Sequence, residues 1–147
     1  MNILLTGAHG FLGQHLVELM ADKIGKINET NNYDGTKPFT PRSCQLDCLN
    51  YTELYYYCSF NNIDAIIHLA AECGGIGINQ RKPADFFLSN AQMSLNILKV
   101  SHELKLEKLV TLGTVCSYPK HTPVPFKEED LWNGYPEETN APYGLAK

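Results

Sequence analysis

A glycine-rich turn near the amino terminus constrains the fold more than any other feature of the sequence. The segment NILLTGAHGFLG joins a short apolar run to three glycines at three-residue intervals, Gly7, Gly10 and Gly13. Apolar residues then recur at helical spacing. A strand, a glycine turn and a helix in this order are typical of a dinucleotide-binding unit, in which the helix amino terminus faces a diphosphate.

The rest of the chain alternates short apolar runs with helical patterns. YTELYYYCSF and FFLSNAQMSLNILKVSHELK are predicted to be helices, and DAIIHLAA and KLVTLG to be buried strands. PFTPRS and SCQLD are predicted to be two short extended pieces. Three further segments are predicted to be loops: residues 25–37, ECGGIGINQRKPAD and residues 118–142.

Buried strands that alternate with helices predict an α/β fold, a Rossmann-type doubly wound parallel sheet. The patterns supply about five strands, whereas the common form of this sheet has six. The sheet is therefore expected to be incomplete. Residues 1–147 are expected to form an N-terminal dinucleotide-binding domain, truncated at its last helix, with the substrate domain largely absent.

Composition and charge exclude several classes of function. The net charge of −4 disfavours nucleic acid as the main partner. The amino terminus does not have the pattern of a signal peptide, and no apolar run has the length of a membrane span. The cysteines form an odd set that contains no complete zinc motif, which favours reduced thiols in a cytoplasmic protein without a metal; they are Cys44, Cys48, Cys58, Cys73 and Cys116.

Each glycine of the turn has a specific expected role. Gly7 permits the tight turn, Gly10 lets the backbone approach a pyrophosphate, and Gly13 lets the helix pack against its strand. A glycine-rich turn that binds no ligand is the alternative. NAD enzymes place an acid about twenty residues beyond such glycines, where Asp34 stands in a polar loop. Arg42 instead suits the 2′-phosphate of NADP, although it could be a surface arginine. NADP is favoured, with NAD as the alternative.

The last residues, APYGLAK, place Tyr143 and Lys147 four positions apart, on one face of a helix. An unperturbed tyrosine has a pKa of about 10. A neighbouring ammonium stabilises the phenolate and would lower that pKa, which suits the tyrosine to proton transfer.

The segments TGAHGFLG, HLAA (residues 68–71) and Tyr143-x-x-x-Lys147 occur in the order typical of the extended short-chain dehydrogenase/reductase family, which this chain resembles. Three longer segments, HLAAECGGIGIN, LGTVCSYPK and EETNAPYGLAK, are similar to the GDP-L-fucose synthases of that family. The resemblance implies NADP-dependent epimerisation and reduction of GDP-4-keto-6-deoxy-D-mannose by a cytoplasmic homodimer.

The resemblance also implies roles for individual residues. Thr114 and Tyr143 would bind the keto oxygen, Cys116 would move protons during epimerisation, and Lys147 would support Tyr143. Family members usually have serine in place of Thr114 and often arginine in place of His9, and their histidine partner of Cys116 matches none of the five histidines. Asn90 would bond inside the sheet. Besides Arg42, the cofactor would be bound by Gly7, His9, Gly10, Phe11, Gly13, Asp47, Ala70, Ala71, Tyr143 and Lys147; the substrate would be bound by Gly74, Gly75 and Thr114.

Two other functions stay open at this point. The chain could be a cofactor-binding or interaction fragment without catalysis, because a final helix of about six residues is marginal on its own. It could also belong to another NAD(P)-dependent nucleotide-sugar epimerase or dehydratase. A glutamate beside the tyrosine would suit a dehydratase, and Pro142 and Gly144 flank it here.

Overall fold

The computed structural model describes residues 1–29 and 36–147. Its strands are β1 (Asn2–Thr6), β2 (Lys37–Phe39), β3 (Ala65–His68) and β4 (Lys108–Thr111). Its α-helices are α1 (Phe11–Glu29), α2 (Tyr51–Phe60), α3 (Ile76–Arg81), α4 (Pro83–Glu103) and α5 (Ala141–Ala146). Two short 3₁₀ helices span Val115–Ser117 and Glu128–Trp132. Asp34, the acid considered for NAD, lies outside the described residues.

The strands form one parallel sheet in the order β2-β1-β3-β4. In the register of the central strand, Ile3 pairs with Pro38 on one side and with Ala65 on the other. The α/β prediction is confirmed. The expected count of about five strands is wrong for the part of the chain that the structure describes, because SCQLD forms turns in which the amides of Gln45 and Leu46 both donate to the Arg42 carbonyl.

Two compact units divide the chain: residues 1–70 with 95–111, and residues 71–94 with 112–147. The sheet and α2 lie in the first unit. Its core consists of apolar side chains from the sheet, from α2 and from the second half of α4, each worth about 1.5–3 kcal/mol when fully buried; they include Leu4, Leu54, Cys58, Ile66, Ile97 and Val100. Among the described residues, no helix combines the length and the apolar character that crossing a membrane requires.

Three local predictions differ from the structure. The segment KLVT is a strand but is mostly exposed, because β4 is an edge strand of the described sheet. Helix α1 continues through residues 25–29, where a loop was predicted. The segment that follows HLAA was also predicted to be a loop, yet α3 begins there immediately after Gly75, which serves as its N-cap. Short helices of this kind have too few residues to show a periodic pattern.

Candidate active site

The glycine turn of the first unit is built so that a side chain cannot replace Gly7. Its φ of +71° lies in the left-handed region. A Cβ atom there would lie 2.6 Å from the Ala70 nitrogen and 2.8 Å from the Leu69 carbonyl carbon, both of which are backbone atoms. The backbone that follows β3 therefore passes too close to residue 7 for any side chain, which is why the turn expected there needs glycine.

The other two glycines bring the start of α1 close to the turn. A Cβ atom at Gly13 would lie only 2.2 Å from the Gly7 oxygen, and one at Gly10 would lie 3.3 Å from the same oxygen. The Gly10 amide donates to that oxygen at 3.0 Å. Gly13 thus permits the close packing of helix on turn that the sequence predicts.

The first turn of α1 offers a group of amide donors that fits a diphosphate. The Gln14 amide donates to the Gly10 carbonyl, so the amides of residues 11–13 have no carbonyl partner within the helix. His9, Gly10 and Phe11 are exposed, and Phe11 is 86% accessible. Accessible amides at a positive helix end are suited to an anionic dinucleotide. Binding by these residues remains a prediction.

A buried hydrogen-bonded pair fixes the backbone beneath the turn. The Thr6 hydroxyl and His68 Nδ1 lie 2.7 Å apart at the ends of β1 and β3. The Thr6 carbonyl accepts from the Leu69 amide at 3.1 Å, and the Thr6 hydroxyl accepts from the Ala70 amide at 3.4 Å. His68 therefore has a structural position at the end of β3, and Ala70 is held beside Gly7.

Two residues predicted to bind the cofactor, Arg42 and Asp47, follow β2, and His9 of the glycine turn lies near the end of that strand. His9 Nε2 lies 3.0 Å from the carbonyl oxygen of Thr40, one residue beyond that strand. Arg42 is exposed, and its amide donates to the Gln45 side chain at 2.9 Å. Asp47 is exposed and accepts from the Leu49 amide. His9 and the end of β2 are brought together in this arrangement, while ligand contacts of Arg42 and Asp47 stay predictions.

Tyr143 lies half-buried on α5 in the second unit. Burial raises the pKa of its phenol above the usual value, and the nearby thiols of Cys73 and Cys116 raise it further. A side-chain hydrogen bond with Thr114 acts in the opposite direction and lowers the Tyr143 pKa. The structure thus brings Tyr143 and Thr114 together, as the predicted keto-binding pair requires.

Lys147 is the C-cap residue of α5, four positions after Tyr143. Its support of Tyr143 stays a prediction. Burial lowers the pKa of Lys147, with Cys73 opposing that change. The expected decrease in the Tyr143 pKa does not occur in this structure, because burial has the larger effect on the phenol.

Cys116 packs directly against α5. A Cβ atom at Gly144 would lie 2.2 Å from the Cys116 oxygen, and the Ser117 hydroxyl donates to the Gly144 carbonyl at 2.6 Å. The Thr114 hydroxyl accepts from the Cys116 amide at 3.2 Å. Thr114, Cys116 and Tyr143 are therefore held in one small cluster.

Cys73 lies near two of the predicted site residues, although the sequence places it only among ordinary reduced thiols. Its thiol acts electrostatically on both Tyr143 and Lys147. The signal available in the sequence was its position, immediately before the Gly74-Gly75 pair. A Cβ atom at Gly74 would lie 2.3 Å from Cγ2 of Ile78, so the segment that carries Cys73 packs closely on α3.

Asn90 is buried, but it does not bond inside the sheet as predicted. Its Nδ2 donates to the carbonyls of Glu72 and Phe86, both at 2.7 Å, and its Oδ1 accepts from the Glu72 amide at 3.0 Å. The side chain instead fixes the backbone of the segment after HLAA. The predicted bonding is wrong because the side chain of Asn90 bonds to the segment that leads to Cys73.

Comparison with known proteins identifies the family. Residues 3–147 match the model of the NAD dependent epimerase/dehydratase family. The chain belongs to this family. Membership confirms the predicted class of nicotinamide cofactor.

Curated relatives in the family are similar over most or all of the chain. GDP-L-colitose synthase of Yersinia pseudotuberculosis is 34% identical over 100% of this chain and 44% of that protein. GDP-L-fucose synthase of Escherichia coli (strain K12) is 36% identical over 70% of this chain and 32% of that protein. The resemblance to GDP-L-fucose synthases is confirmed. The chain spans less than half the length of these curated relatives.

Two solved structures share the fold. A GDP-L-fucose synthetase from Naegleria fowleri bound to NADP is 25% identical, with a TM-score of 0.81 over 99% of this chain and 41% of that one. A GDP-mannoheptose C4 reductase from Campylobacter jejuni with NADP bound is 24% identical, with a TM-score of 0.85 over 99% of this chain and 43% of that one. The Rossmann-type prediction is confirmed.

Proposed function

We propose that the protein carrying this chain catalyses the NADP-dependent epimerisation and reduction of GDP-4-keto-6-deoxy-D-mannose to GDP-L-fucose. The placement of Tyr143 beside Thr114 and Cys116 in one cluster is the observation that carries the proposal. The 36% identity to GDP-L-fucose synthase of Escherichia coli supports the choice of substrate.

The chemistry proposed for the second unit follows from the protonation state of the Tyr143 phenol. A raised pKa keeps the Tyr143 phenol protonated at neutral pH, so the hydroxyl can donate to a keto oxygen and deliver its proton. NADPH supplies the hydride when bound. The Thr114 hydroxyl orients the phenol and stabilises the phenolate that forms, which limits how far burial raises the pKa.

Proton movement at the carbons beside the keto group needs a separate acid or base. The Cys116 backbone packs on α5 and its thiol acts electrostatically on Tyr143, so this thiol is our candidate for the step. A thiol can act as an acid or a base when its surroundings tune it for that work. Cys73 adds a second thiol to the surroundings of Tyr143 and Lys147.

The first unit supplies the proposed cofactor contacts. The amides after Gly10 would hold the diphosphate, and Arg42 would bind the 2′-phosphate of NADP, with His9 beside the end of β2. The NADP-bound relative from Naegleria fowleri supports NADP over NAD. A homodimer in the cytoplasm completes the proposal for the full-length protein.

A second candidate is the reaction of GDP-L-colitose synthase. It is favoured by 34% identity that extends over the whole of this chain. The two candidates differ in their sugar product, so mass spectrometry of the nucleotide sugar formed separates GDP-L-fucose from GDP-L-colitose.

Turnover of GDP-4-keto-6-deoxy-D-mannose with NADPH tests the proposal. We expect NADPH consumption and GDP-L-fucose formation, both strongly reduced by Tyr143→Phe. Tyr56→Phe is the matched control, because Tyr56 is 67% exposed on α2 of the first unit. Equal rates for wild type and Tyr143→Phe would overturn the assignment. NADPH binding without turnover of either sugar would favour a cofactor-binding module instead.

A further inference from the structure

The start of α5 is held by a chain of polar side chains and not by a normal helix cap. Asn140 is the N-cap residue, yet its side chain makes no capping bond to α5. Its Oδ1 instead accepts from Asn79 Nδ2 at 3.0 Å, and its Nδ2 donates to the Glu137 carboxylate at 3.0 Å. The interaction with Asn79 joins α3 to the helix that carries Tyr143.

The backbone of Asn140 transmits this placement to Tyr143. Its carbonyl accepts from the Gly144 amide at 2.8 Å, closing the first turn of α5 around Tyr143. An α-helix of six residues has little stability of its own. The orientation of Tyr143 toward Thr114 therefore depends on what holds Asn140.

The burial of Asn79 indicates that its amide group has a role beyond packing. It is only 5% exposed, and its Oδ1 has no hydrogen-bond partner among residues 1–29 and 36–147. Buried acceptors without partners are uncommon and unfavourable. A leucine would occupy a similar volume without that penalty, so packing alone does not account for the asparagine. The same Oδ1 lies 3.4 Å from the position of a Cβ atom at Gly74.

We propose that Asn79 is a positioning residue that aligns α5, so that the Tyr143 hydroxyl remains beside Thr114. It acts through Asn140 and touches neither substrate nor cofactor. The proposal rests on the proposed function in that Tyr143 is taken as the proton donor. Because Asn79 also lies against Gly74, it links the segment proposed to contact substrate to the helix that carries the acid.

Hydrogen exchange of the Gly144 amide in Asn79→Leu tests the alignment directly. We expect that amide to exchange about tenfold faster, the change typical of losing one hydrogen bond. The thermal midpoint should change little, because the substitution removes an orphan acceptor and the half-buried Asn140 can bond to water. The Tyr143 titration, isolated as the difference from Tyr143→Phe, should move toward the ordinary tyrosine pKa as burial is lost.

Asn96→Leu is the matched control. Asn96 is also buried, and its Nδ2 donates to the carbonyls of Cys48 and Leu49, both at 2.9 Å, within the first unit. We expect this variant to lower the thermal midpoint and leave the Tyr143 titration unchanged. Unchanged Gly144 exchange in Asn79→Leu would overturn the proposal. Faster exchange at all amides with a lower midpoint would also overturn it, since that pattern indicates a structural role only.

Coupling and kinetics provide two further readouts. Asn79→Leu combined with Asn140→Ala should accelerate Gly144 exchange no more than the larger single effect, because both remove the same bond; additive effects would contradict the link. In the full-length enzyme, Asn79→Leu should lower kcat with little change in KM. If Tyr143→Phe leaves turnover intact, the proposed function fails, while the exchange measurement still decides whether Asn79 aligns α5.

Discussion

Gly7 gives the most direct test of how the turn is built. In Gly7→Ala the residue must keep a φ of +71°, which costs a non-glycine residue roughly 1–2 kcal/mol. The new Cβ would also lie 2.6 Å from the backbone nitrogen of Ala70, and overpacking of this kind costs roughly 1–3 kcal/mol. Alanine also makes the unfolded chain less flexible than glycine does, which offsets up to about 1 kcal/mol of this loss. The expected loss is about 1–5 kcal/mol, which is large beside a typical stability of roughly 5–15 kcal/mol.

Urea unfolding of Gly7→Ala and Gly77→Ala measures this loss. Gly77 lies in α3, and a Cβ atom there meets nothing within 4 Å. We expect Gly77→Ala to leave the free energy of unfolding unchanged or to raise it by about 0.5–1 kcal/mol. A free energy of unfolding for Gly7→Ala within about 0.5 kcal/mol of wild type would refute the reasoning. A turn that keeps its backbone geometry cannot absorb both the strain of the positive φ and the close contact of the new Cβ without a larger loss.

Three further perturbations follow from the same structure. Thr114→Val removes the hydrogen bond that lowers the Tyr143 pKa, so titration should show a higher pKa and kcat should fall by about 10²-fold, whereas Thr114→Ser should retain both. Burial raises the pKa of Cys48 to about 11 and of Cys58 to about 12, above the ordinary 9.0. The stability that these thiols contribute is present below pH 9 and is lost as pH rises from 9 to the folded-state pKa values of about 11 and about 12. Unfolding curves should show that roughly 2–3 kcal/mol has been lost by about pH 10, and Cys48→Ala/Cys58→Ala should remove this pH dependence. Asn90→Leu leaves backbone groups after HLAA unpaired, so urea unfolding should show a loss of about 1–3 kcal/mol, and no loss would contradict the bonding described.

The first unit was largely predictable because its signals are local. A glycine with a positive φ, a strand of buried residues and an amphipathic helix each leave a pattern in consecutive residues, as Gly7, β1 and α1 show. The exposure of β4 was not predictable, since an apolar run does not reveal whether its strand lies in the centre or at the edge of a sheet.

The second unit was predictable in its residue types but not in its arrangement. The resemblance to a known family pointed to Thr114 and Tyr143, which the structure brings together. The proposed role of Asn79 and the proximity of Cys73 to Tyr143 depend on contacts between segments that are far apart in the chain. The direction of the Tyr143 pKa depends on burial, which spacing in the sequence does not report.

Calorimetric titration of the 147-residue chain with NADPH and with NADH tests the central claim most directly. A dinucleotide site at the glycine turn predicts saturable binding that is tighter for NADPH, and that weakens sharply in Gly7→Ala. Equal affinity for the two cofactors would contradict the assignment of the 2′-phosphate to Arg42. Absence of binding by a chain that still melts cooperatively would contradict the dinucleotide site itself.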